Sequence, residues 1–77
     1  MMIYKLKYTN KETALADFIA KGLIDAEYNY KLNTQALVDI GLIIGVDGYH
    51  YDIMTIDKVD FSDNEIQVTN PVHNFWV

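Results

Sequence analysis

Residues 3–8, IYKLKY, place Tyr4, Leu6 and Tyr8 on one side of an extended chain and Lys5 and Lys7 on the other. Such alternation marks a half-buried β-strand. The residues that follow carry a helix start, because Thr9 with Glu12 fits a capping box in which each side chain satisfies the other residue's backbone amide. Leu15, Phe18, Ile19 and Leu23 then recur at three-to-four spacing, Asp17 and Lys21 stand one turn apart, and Gly22 offers a left-handed stop. A strand feeding directly into a helix over about residues 10–21 must bury one face of each against the other.

The rest of the chain supplies the sheet. Residues 25–33, DAEYNYKLN, hold no sustained period and read as a loop. TQALVDIGLII fits either element: Ala36, Val38, Ile40, Leu42 and Ile44 share a strand face, whereas Ala36, Leu37, Ile40, Ile43 and Ile44 fit a helical stripe. The β-branched residues, and Gly41 at about 1 kcal/mol below alanine in a helix, favour the strand. GVDG carries an Asp-Gly turn signal and YHYDIMTI has strand composition, so residues 35–56 read as a hairpin. The stretch around Phe61 is a loop or single helical turn, and EIQVT is a short strand ended by Asn70-Pro71. The expected fold is α+β, a single small domain over 1–77: strand, helix, hairpin and short C-terminal strand in an antiparallel or mixed sheet on one helix.

At 77 residues the chain buries only about 60% of the surface it exposes unfolded. Without cysteine it has no disulfide or thiolate metal site to add stability, so association with itself or another protein is the expected route. Six lysines, no arginine and eleven carboxylates give a net charge of −5, which disfavours direct nucleic-acid binding. No apolar run approaches the length of a membrane span and no basic leader precedes one, so neither a membrane partner nor export is expected.

TNKETALADFIAKGLID, TQALVDIGLII, DGYHYDI and VTNPVHNFWV together resemble a loose group of small uncharacterised bacteriophage proteins. The residues carrying the resemblance are Thr34, Ala36, Gly41, Asp47, Gly48, Tyr49, His50, Asp52, Pro71, His73 and Phe75. Members of that group have a longer acidic, glycine-rich insertion between the hairpin strands and end in small residues. Here Gly45 and Val46 run almost directly into Asp47, and the chain closes on Trp76 and Val77. The resemblance implies a phage gene and a similar fold, placing the protein in the host cytoplasm or incorporated in the virion, and it implies no chemistry.

Several constellations call for weighing. His50-x-Asp52 with His73 matches the residue types of a two-histidine, one-carboxylate metal triad, yet the enclosing scaffold such enzymes use is far larger. A histidine and an aspartate hydrogen-bonded on a sheet face is the simpler reading. Asp57, Asp60, Asp63 and Glu65 lack the glycine and spacing of a calcium loop, and Ser62 has no nucleophile elbow. No catalytic residue, metal site or cofactor is therefore assigned. The aromatics point instead to contacts, with Phe75, Trp76, Val77, Tyr49 and Tyr51 as the expected partner-binding residues. The expected function is a non-enzymatic phage protein acting through protein–protein contacts, as a small assembly or virion-associated component. An acidic host-directed inhibitor is the alternative, and a metal-dependent enzyme the third.

Overall fold

The computed structural model describes residues 1–66. Strand β1 (Met2–Tyr8) leads into helix α1 (Lys11–Ala20), and a loop returns the chain to the hairpin of β2 (Thr34–Ile43) and β3 (Val46–Thr55). A single 3-10 turn follows at Ser62–Asn64. The sheet has the order β1-β3-β2 and is antiparallel throughout, so β3 is central and meets β1 on one side and β2 on the other. This is the α+β arrangement expected from the sequence. The C-terminal strand expected around Ile66 to Val68 extends beyond the described residues, as do Phe75, Trp76, Val77 and His73.

The alternation in β1 holds: Tyr4, Leu6 and Tyr8 are buried beneath the helix, opposite Ile53, Tyr51 and Tyr49 of β3. From α1, Ala14 and Phe18 face the same layer. Phe18 is its centre, meeting Tyr8 and Tyr51 edge-on at ring distances of 5.4 and 5.1 Å, while Phe61 closes the layer against Tyr4 at 5.0 Å. Burying an aromatic ring of this kind contributes about 1.5–3 kcal/mol, and edge-to-face pairing adds about 0.5–1.5 kcal/mol. Leu15 of the expected helical stripe is only partly covered and Ile19 is exposed, since the buried line of the helix runs through Ala14 and Phe18 instead.

Three details differ from the sequence reading. The helix is capped by Asn10 rather than Thr9: Asn10 Oδ1 accepts the Thr13 amide and the Thr13 hydroxyl, both at 2.8 Å. The Asp-Gly pair is not the hairpin turn. Ile43 pairs with Val46, so the reversal falls at Ile44 and Gly45, whose φ of 81° glycine adopts freely. Asp47 and Gly48 are instead extra residues within β3, where a Cβ on Gly48 would lie 2.6 Å from Lys7 Cγ. Finally, β2 does not keep one face. Its register slips at Gln35 and again at Ile40, so Val38 lies opposite Asp52 while Leu42 lies opposite Tyr49.

The sheet edges are managed differently. Along β1, the Ile66 amide donates to Lys5 O at 2.9 Å, Glu65 bridges Leu6, and the Asn64 side-chain amide donates to Lys7 O at 3.0 Å. Along β2, the Tyr30 hydroxyl accepts from the Leu37 amide at 3.0 Å and donates to the Leu37 carbonyl at 3.2 Å. One side chain thus occupies both backbone groups that a passing strand would need at that position.

Candidate functional site

Three places in the described residues hold chemistry that the core does not need. The first is the sheet face opposite α1, where the pleat puts Lys5, Lys7, His50 and Asp52 on one side. Asp52 is fully buried, and Lys5 Nζ lies 3.0 Å from its Oδ2. His50 is likewise buried and places Nε2 3.0 Å from the carbonyl of Asp47, an acceptor only, so Nε2 carries the proton and is not presented to a metal. His50 and Asp52 do share a face, as their spacing requires, and among the described residues no three histidine or carboxylate groups converge to hold a metal ion. Beside them, Lys7 Nζ meets Asp47 Oδ2 at 3.0 Å and holds that exposed carboxyl below the usual carboxylate range.

The second place is the hairpin end. Leu42, Ile44 and Val46 are exposed there, Ile44 completely, and the chain from Ile40 to Val46 carries no charged side chain. Sequence reasoning placed Leu42 and Ile44 in a strand and Val46 in the Asp-Gly turn. The slip at Ile40 is what carries Leu42 out of the expected face, and no sequence rule locates that slip.

The third is a groove of about 230 Å³ between α1 and β2, lined mainly by carbon. Lys11, Leu15, Tyr28, Leu37, Asp39 and Tyr51 line it. Asp39 and Tyr51 are cross-strand partners. The Tyr49 hydroxyl donates to Asp39 Oδ2 at 3.0 Å, and Lys11 Nζ stands 3.6 Å from the same oxygen. The Tyr51 hydroxyl is buried and makes no hydrogen bond within 3.5 Å, although the Asp39 carboxylate beside it still acts on it as an acceptor. Burial first, and the Asp39 charge second, push that phenol well above its ordinary pKa. Of the two tyrosines expected to bind a partner, Tyr51 is a core residue that lines this groove, whereas Tyr49 is half-buried with its hydroxyl on Asp39. A wider hollow of about 670 Å³ beside the start of β1 presents no unpartnered buried group of this kind.

The carboxylates after β3 do not form a site. Asp57, Asp60, Asp63 and Glu65 are exposed, and Asp60 Oδ1 accepts the Ser62 amide at 2.9 Å to shape the turn. Among the described residues no helix is long and apolar enough to cross a membrane. Comparison with family models, with curated proteins and with solved structures gives no match to this chain.

Proposed function

We propose that this is a non-enzymatic interaction protein, a small assembly or virion-associated component of a bacteriophage, that engages protein partners or its own copies. The observation that carries this reading is the hairpin end: Leu42, Ile44 and Val46 leave apolar surface exposed on a chain short of buried area. Tyr30 blocks strand addition at Leu37, so contact through side chains at the tip is favoured over pairing along the whole edge of β2. The resemblance of the sequence to small phage proteins supplies the setting.

The test is the mass in solution by light scattering over a dilution series, for the full chain and a Leu42→Ser, Ile44→Ser double variant. A closed oligomer that disperses in the double variant is expected. A full chain that stays monomeric at every concentration removes the self-assembly form, and a protein found free in infected lysate but never in purified particles removes the virion form.

A further inference from the structure

We propose that the groove between α1 and β2 is a receiving site for an ammonium or guanidinium group on an unbranched aliphatic stem, the side chain of a partner's lysine or arginine. Two independent observations point to a ligand. One is the groove itself, with Leu15, Leu37 and Tyr28 lining a largely carbon-walled space of about 230 Å³. The other is the hydroxyl of Tyr51, a residue that lines the groove, buried and with no hydrogen bond within 3.5 Å. A buried hydroxyl without a partner carries a desolvation penalty that a ligand N–H can relieve.

The sign of the ligand follows from what surrounds that hydroxyl. Asp39 faces it from the neighbouring strand, Glu12 adds negative charge from α1, and Lys11 is the facing cation. The first turn of α1 offers little to an anion at Thr13, whose amide is already taken by Asn10. Lys11 is half-exposed and 3.6 Å from Asp39 Oδ2, a loose pair in a position where solvent competes. A cation entering with its methylenes against Leu15 and Leu37 would displace Lys11, donate to Asp39 and donate to the Tyr51 oxygen. Long basic side chains bury their stems in this way. Tyr28 and Tyr51, which line the groove, are rings of the kind that attract a cation.

This inference rests on the reading of the protein as an interaction module only for the source of the cation. Binding of a free amine is blind to the hairpin tip, so the two readings fail separately. The experiment is a titration of the full chain with n-butylammonium, followed by NMR at the Leu15 and Leu37 methyls and the Tyr51 ring. Pentanoate and 1-pentanol serve as the anionic and neutral counterparts, and acetyl-Gly-Lys-Gly-amide as the peptide-borne form. Saturable shifts with butylammonium in the millimolar range are expected, as suits so small a ligand. Asp39→Asn should weaken them about tenfold or more, as loss of a charge-assisted bond does. Lys11→Met should tighten binding several-fold, because the competing cation is gone. Tyr51→Phe should weaken binding while leaving the melting temperature unchanged or higher, which separates a lost contact from a lost fold. Pentanoate or pentanol binding as tightly as butylammonium overturns the assignment, as does indifference to Asp39→Asn. A site that takes free butylammonium but excludes the peptide lysine overturns the partner side chain as its occupant.

Discussion

Lys5 and Asp52 lie opposite each other on β1 and β3, with Nζ 3.0 Å from Oδ2 and the carboxylate withdrawn entirely from solvent. The pair joins the two strands on the face that α1 does not cover, one layer away from the aromatic core. A buried carboxylate is tolerated only with a cation and hydrogen bonds to meet it, and removing the cation takes away part of what offsets its desolvation.

Lys5→Met should therefore destabilise the fold by about 3 kcal/mol, a cost typical of breaking a buried ion pair. Adding Asp52→Asn should return part of it, since the buried charge that Lys5 met is then gone. Urea denaturation of the two single variants and the double variant gives the coupling directly. Additive losses would mean that the two side chains do not act as a pair.

Gly48 is held by two constraints at once, a φ of 93° and the stem of Lys7 lying across the space a Cβ would fill. Gly48→Ala should cost about 1–3 kcal/mol from the backbone conformation together with the clash. Lys7→Ala alone should be nearly neutral, because its pair with Asp47 is exposed. In that background Gly48→Ala should cost less, since only the backbone strain remains. The same loss with and without Lys7 would assign the whole effect to φ.

Asn10, not Thr9, holds the start of α1, so Asn10→Ala should cost about 1 kcal/mol while Thr9→Ala leaves stability within about 0.5 kcal/mol. The reverse ranking in thermal melts would restore the capping box that the sequence suggested. The example shows where sequence reading stops. Thr9 and Asn10 are adjacent and both suit a cap, and the choice falls to Asn10 because Thr13 offers it a hydroxyl as well as an amide.

The alternation in IYKLKY was legible because one side of the strand is buried under a single layer, and in the helix Phe18 was legible while the buried Ala14 was not. The hairpin was legible from its β-branched residues. Its turn was not, because Asp-Gly serves equally well inside a strand when a neighbouring side chain, here that of Lys7, occupies the missing Cβ. Nor were the slips at Gln35 and Ile40, which leave both helical and strand periods incomplete in TQALVDIGLII and carry Leu42 to the side of Tyr49. The groove followed from these slips, since they set Asp39 beside Tyr51. Its only trace in the sequence was an excess of tyrosine over what a small core requires.

Tyr8 and Tyr51 make stability depend on alkaline pH. Burial first, and then the 2.6 Å bond to Asp17, raise the Tyr8 phenol far above its ordinary 10.0, while burial and then the Asp39 charge raise Tyr51. In the unfolded chain both ionise near pH 10, at about the ordinary tyrosine value. Below that pH both states are protonated, so these groups add no slope and their stabilising contribution is complete. Above it the unfolded chain loses protons that the folded chain keeps, so stability falls as pH rises toward the folded values. The slope reaches about 1.4 kcal/mol per pH unit for each tyrosine. Urea midpoints measured from about pH 8 to pH 11 should stay level and then drop beyond about pH 10, with tyrosinate absorbance from these rings rising together with unfolding. Tyr8→Phe should cost about 1 kcal/mol at neutral pH for the lost bond and flatten the alkaline drop. Tyr51→Phe should flatten it with a smaller neutral cost, because its hydroxyl makes no hydrogen bond within 3.5 Å to lose. If these two rings ionised near pH 10 while the protein stayed folded, neither phenol could be buried as described.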